Sequence, residues 1–355
     1  MSTDQSIRTQ HGYELEFVNE TGTVVGRRRI KSTDFGHAVR DAAFDALKRG
    51  LIDDLVGQIR EVTVEPLYID PADALPETNG FRVTLGLVNA GEHVYDYSLS
   101  YFTMLANQER AEMNRMAQSA PSDQLRYRLQ AFLDDDGWKP NTNKLSISLH
   151  DERPNISLRN GSLNDFASRD RWDDCNRWDV PVVVDQSVVE EVVDESKATP
   201  DREIGGFLLG DLHRDRSTGE IFVSVTGLVS AAGTTESSEI SVTFTPASFV
   251  HARKMIELRS RGESIVGWYH SHPFTVCAEC PIPMPKECIE KILFFSADDV
   301  HVMATTFERP HMIGLLAAVE PRIEQAIGHL PVKLYGWRHG EIRPRGFDVV
   351  RNCAD

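Results

Sequence analysis

Ser264-Ile-Val-Gly-Trp-Tyr-His-Ser-His-Pro273 is the stretch from which the rest of the chain can be placed. Its β-branched and aromatic residues predict a strand, and Pro273 marks where it stops pairing. Residues two apart on a strand face the same way, so His270 and His272 can both reach one metal ion. Ser296-Ala-Asp-Asp299 offers a third donor, because a carboxylate in the first turn of a helix can project towards the end of a neighbouring strand. Two histidines and one carboxylate leave a coordination position open to water, the pattern of a catalytic zinc; structural zinc is normally closed by four ligands. Glu203 directly precedes the glycine-interrupted strand Ile204-Gly-Gly-Phe-Leu-Leu-Gly210. If that strand lies beside the histidine strand, the Glu203 carboxylate can take a proton from water and return it to a leaving amine. Taken singly, each feature also has a plain structural reading: two satisfied core histidines, and a helix capping box at Ser296 and Asp299.

The neighbouring sequence extends the pattern. Val182–Val184 reads as a buried strand, Ser187–Asp194 as a helix, and Ile221–Val229 as the partner reached through a turn at Ser217-Thr-Gly219. Phe249, Ala252 and Ile256 share one helical face, with Pro246 suited to its start and Gly262 to its end. Ser296 opens another helix, striped by Val300, Met303, Ala304 and Phe307, and His311–Val319 returns as a strand. The expected fold is α/β (α+β), a mixed sheet flanked by helices, over residues 180–350.

Glu203 before a Gly-Gly-x-Leu-Leu-Gly strand, then His-x-His-Pro, then Ser-x-x-Asp, resembles the JAMM or MPN+ (JAB-domain) metalloprotease motif. The resemblance runs from about Val182 to Val350 and includes the Ile265-Val-Gly-Trp-Tyr-His lead-in and Ala318-Val-Glu-Pro321. It implies zinc bound by His270, His272 and Asp299, water activated by Glu203, and Ser296 donating to the developing oxyanion. Asp298 sits one residue off the serine-to-aspartate spacing. The activity implied is cleavage of a peptide or isopeptide bond at the C-terminus of a ubiquitin-like modifier. Bacterial ubiquitin-like conjugation systems, antiviral defence among them, are the setting that family habit suggests.

The chain departs from that pattern at one place. Ser296 follows His272 by 24 positions (296 − 272), against about eight in the family, so about sixteen residues are inserted. The insert, residues 274–290, holds Cys277, Cys280 and Cys288 among several prolines. Cys277-x-x-Cys280 has zinc-knuckle spacing, which with Cys288 and a fourth ligand such as Cys175, Cys353 or a histidine would make a second, structural zinc site. The other readings are a loop with reduced thiols, a cysteine that occupies the open position of the catalytic zinc, and a proline-stiffened rim guiding an extended tail.

The first half reads as a separate α+β domain over residues 1–175. Tyr13–Phe17 and Val24-Val25 form a hairpin about Glu20-Thr-Gly-Thr23, followed by a helix through Phe35, Val39, Ala42 and Leu47 that Gly50 stops. That order opens a β-grasp domain, as it does many other α+β domains. Strands are expected at Glu61–Ile69, Phe81–Val88, Val94–Tyr101 and Lys144–Leu149, helices at Met104–Gln118 and Asp123–Leu133, and a linker from Arg153 to Asp179. This domain is expected to recruit the modifier, its conjugates, or the activating or conjugating enzymes of the same system.

Composition narrows the partners further. With 38 basic against 54 acidic residues and a net charge of −16, nucleic acid and anionic membranes are poor partners. No apolar run has the roughly 20 residues that span a bilayer, and the N-terminal residues lack a signal-peptide core. Five cysteines, an odd number, fit a reducing cytoplasm better than a disulfide framework. Two rival functions stand beside the protease: an MPN-type scaffold without turnover, and a metallohydrolase of a small amide or peptide.

Overall fold

The computed structural model describes residues 7–8, 11–55, 57–69, 77–117, 125–133, 158–166, 169–173, 175–176, 178–231, 235–238, 241–274 and 280–351. The chain divides into two compact units, residues 1–155 with 339–341, and residues 156–338 with 342–355.

The first unit contains β1 (Ile7–Arg8), β2 (His11–Val18), β3 (Val24–Arg29), α1 (Gly36–Lys48), β4 (Ile59–Ile69), β5 (Glu77–Leu87), β6 (Gly91–Ser98), α2 (Thr103–Ala117) and β7 (Arg126–Leu133). Its seven-stranded sheet runs β1-β4-β5-β7-β2-β3, with β6 on β5, and is antiparallel apart from the β1–β4 pair. The expected hairpin and helix form, and Gly50 takes the left-handed conformation (φ +69°) just past α1. Tyr13, Phe35, Phe81, Tyr97 and Phe102 are buried together in edge-to-face and stacked contacts. Asp41 on α1 is buried against this cluster and accepts a hydrogen bond from the Tyr97 hydroxyl at 3.0 Å.

One expectation for this unit is corrected: the helix expected over Asp123–Leu133 is replaced by a strand at Arg126–Leu133, which pairs along its whole length with β2, and residues 123–124 lie outside the described residues. The strand expected at Lys144–Leu149 lies outside the described residues.

The second unit continues with β8 (Leu158–Asn160), β9 (Arg169–Trp172), β10 (Val182–Asp185), α3 (Gln186–Ala198), β11 (Gly205–Arg214), β12 (Ile221–Ser230), β13 (Thr235–Ser238), β14 (Ser241–Phe244), α4 (Pro246–Arg259), β15 (Ser264–His272), α5 (Lys286–Glu290), α6 (Ala297–Thr305), β16 (Ile313–Ala318), α7 (Pro321–Ile327), β17 (Val332–Arg338), β18 (Glu341–Arg345) and β19 (Phe347–Val350). A ten-stranded mixed sheet has the order β18-β17-β16-β15-β11-β12-β10-β19-β9, with β8 on β11. The expected linker from Arg153 to Asp179 is thereby corrected in part, since β8 and β9 are strands of this sheet. Trp172 of β9 stacks on His329 with ring centroids 4.5 Å apart.

Helices cover both faces, and the two-residue period of β15 decides what meets them. Trp268 joins Phe207, Leu209, Ala252 of α4, Met303 of α6 and Phe307 in one apolar cluster. Tyr269 points the other way and donates its hydroxyl hydrogen to Glu195 of α3 at 2.6 Å. Gly210 permits the tightest approach in the sheet: a Cβ there would lie 1.8 Å from the Ser224 carbonyl oxygen. Among the described residues no helix is long and apolar enough to cross a membrane.

Candidate metal centre

β11 and β15 are neighbours in the sheet, with Gly205 opposite His270. The Ser271 N–H donates to the Ile204 carbonyl at 2.9 Å, and the Ile204 N–H donates to the Ser271 hydroxyl at 3.1 Å. These two bonds fix the residue before Ile204 at the end of the histidine strand. Glu203 is accordingly buried, with its Oε1 3.8 Å from His272 Nε2.

His270 and His272 follow Trp268 on the α6 face of β15. The His270 ring stacks on Trp268 at 4.5 Å, and His272 donates from Nδ1 to the Ile292 carbonyl at 2.7 Å, which leaves its Nε2 as the free lone pair. That is the arrangement a metal-ligating histidine requires. The third donor comes from α6. Ser296 caps the helix by accepting from the Asp299 N–H at 3.1 Å, while the Ser296 N–H donates to Asp299 Oδ2 at 2.7 Å. The capping box and the candidate donor are therefore one feature, since the reciprocal cap turns the carboxylate towards the histidines. Asp298, the local rival, is exposed.

His270, His272 and Asp299 each offer a donor atom within 4.8 Å of the others. Asp299 Oδ1 lies 3.1 Å from His270 Nε2 and Oδ2 lies 3.7 Å from His272 Nε2. Zinc bonds of 2.0–2.1 Å at tetrahedral angles need donors roughly 3.3 Å apart. The His270 ring is fully buried, yet among the described residues neither of its nitrogens has a hydrogen-bond partner, so the contact to Asp299 is close but misaligned. A buried imidazole in that condition costs free energy unless something ligates it. The residues thus fit a metal ion.

The charges agree with this. Burial holds the His270 imidazole below its usual range, against the pull of Asp299, which favours the neutral form that can ligate a metal. Burial acts to raise the Asp299 carboxyl, but His270, His272 and the Ser296 N–H outweigh it and hold the group well below the carboxylate range. Burial pushes the Glu203 carboxyl up to about 7, opposed by His272 and reinforced by Asp299 and Asp298. A dication at the three donors would pull that value down.

Three supporting groups carry little signal in the sequence. Trp268 had one, since it lies two residues before His270 on the same strand face. The Ile292 carbonyl and Tyr335 had none. Tyr335 stacks on Phe295 at 3.9 Å and donates to the Leu293 carbonyl at 2.9 Å, clamping the segment that presents Ile292 to His272. Tyr335→Phe keeps the stack and frees that segment, and is expected to weaken metal binding about tenfold, the low end for loss of an outer-shell partner. Chelator competition measures it, and an unchanged affinity would remove Tyr335 from the site.

The cysteines give a different picture. Cys280 and Cys288 pack with Met284, Ile292, Leu293 and Ile323 in an apolar cluster. Cys175 is exposed, and Cys277 and Cys353 lie outside the described residues. Among the described residues His270, His272 and Asp299 are the one group placed to hold a metal.

Residues 180–280 match a family model described as JAB1/Mov34/MPN/PAD-1 ubiquitin protease. The matched span includes Glu203, His270 and His272 and stops inside the insert, before Ser296 and Asp299. No curated protein matches the chain. Among solved structures, the solution structure of protein DSY2949 from Desulfitobacterium hafniense aligns at 16% identity and a TM-score of 0.33, covering 48% of this chain and 94% of that one. A likeness at that score carries no argument. From residue 180 to residue 280, the second unit is similar to the JAB/MPN family.

Proposed function

We propose that the second unit is a zinc-dependent isopeptidase or peptidase that cuts after the C-terminus of a ubiquitin-like modifier. The observation that carries this reading is Glu203 beside the buried His270–His272–Asp299 donor set, within a region similar to a family described as ubiquitin protease. Bound zinc would polarise the scissile carbonyl and lower the pKa of a water. Glu203 takes the proton of the attacking water and returns it to the leaving amine, a task suited to a carboxylate raised towards neutrality. Ser296 uses its oxygen on the Asp299 N–H, which leaves its hydroxyl hydrogen to donate to the developing oxyanion. The first unit recruits the modifier, its conjugate, or the activating or conjugating enzymes, in the cytoplasm.

Metal analysis of the full chain, purified without chelator, is the first test. One zinc per chain is expected, and cleavage of linear and isopeptide-linked modifier fusions that chelator abolishes. Zinc without cleavage of any fusion would favour the scaffold reading; no zinc would overturn the proposal. A second zinc would support the cysteine site.

A further inference from the structure

β17, β18, α5 and the segment before β10 line an open cavity of about 470 Å³ to which none of His270, His272 and Asp299 contributes. Lys286, Lys333, Arg338 and Arg345 line it together with Asp173 and Glu290. Two of these charges are locally offset: Arg338 holds Asp179 with two bonds of 2.7 Å, and Lys286 lies 3.7 Å from Glu290. What remains is Lys333 and Arg345 against Asp173. In a chain of net charge −16, this is a local concentration of cations.

Arg345 is the informative member. Its side chain is 1% exposed. One guanidinium nitrogen donates to the Val180 carbonyl and Asp179 lies 3.8 Å from Nε, yet among the described residues Nε and Nη1 have no hydrogen-bond partner. Burial pushes this guanidinium down to about 10, so Asp179 compensates the charge only in part. Gly336 makes room for it, because a Cβ there would lie 2.5 Å from Nη1. The fold thus seats an under-partnered cation in the cavity wall, with Lys333 and Asn176 also lining it.

We propose that this cavity binds a small oxyanion, the phosphate or carboxylate group of a ligand. The anion is held by Lys333 at the wall, and the buried Arg345 supplies charge in a medium where it is poorly screened.

Cys175 reports on the site because it is exposed and lines the same cavity. The full chain is alkylated with a thiol reagent while inorganic phosphate or acetate is titrated at constant ionic strength, and modification of Cys175 is followed by peptide mass spectrometry. Phosphate, acetate or both should slow alkylation in a saturable way, about tenfold at ten times Kd, and the stronger of the two identifies the source of the oxyanion. Lys333→Gln, at a half-buried side chain, should weaken that protection about tenfold while the melting temperature stays put. Absence of protection by either anion, or equal protection in Lys333→Gln, overturns the proposal. Protection that chloride reproduces means an adventitious ion only, which overturns it too.

Discussion

Glu203→Gln is expected to lower kcat on a modifier fusion by about 10²–10⁴-fold, the range lost with a positioned general base, while zinc content stays at the wild-type level. The separation of the two readouts follows from geometry. Glu203 lies 3.8 Å from His272 Nε2 but is outside the three-donor group. Glutamine keeps the size and hydrogen-bonding capacity of the side chain and removes its ability to accept a proton. Equal cleavage by wild type and variant would end the role assigned to Glu203. Loss of zinc together with activity would move Glu203 into the ligand set.

The largest expected change in stability lies in the first unit. Burial pushes the Asp41 carboxyl up to about 7, with Asp45 adding to the rise and Tyr97 and Lys48 opposing it. In the unfolded chain the group titrates near 3.9. Between these values the folded state holds a proton that the unfolded state has released. Stability therefore falls as pH rises from about 4 to 7, and levels off above. Asp41→Asn mimics the protonated acid and keeps an acceptor for the Tyr97 hydroxyl. It should be more stable than wild type by about 2–4 kcal/mol at pH 8 and equal to it near pH 4. Denaturant melts of the full chain at the two pH values measure this, and a pH-independent difference would contradict it.

The site was legible because its chemistry forces a pattern. Two histidines at strand spacing and a Ser-x-x-Asp cap are local relations, and a local relation survives in the sequence. The adjacency of β11 and β15 is not local, so it could be posed only as a condition on Glu203. Arg126–Leu133 misled for a different reason. Its Arg, Gln, Leu and Ala residues favour helices, and this obscured the alternation of Tyr127, Leu129 and Ala131 that pairing with β2 exploits. β9 left no trace at all: Arg169-Asp-Arg-Trp172 is a polar edge strand, and edges of that kind are kept charged so that they do not pair further. Tyr335 was invisible because its function is to hold a carbonyl of another segment.

The order in which the residues of the candidate site are gathered has a kinetic consequence. Glu203 and Asp299 are 96 positions apart (299 − 203), and between them the chain must lay down β11, β12, α4, β15 and the insert. Contacts of such long sequence separation form late and slowly during folding. His270, His272 and Asp299 span only 29 positions (299 − 270), so a stopped-flow signal from metal uptake would date that shorter-range step, and the return of cleavage that needs Glu203 would date the later closure of β11 on β15.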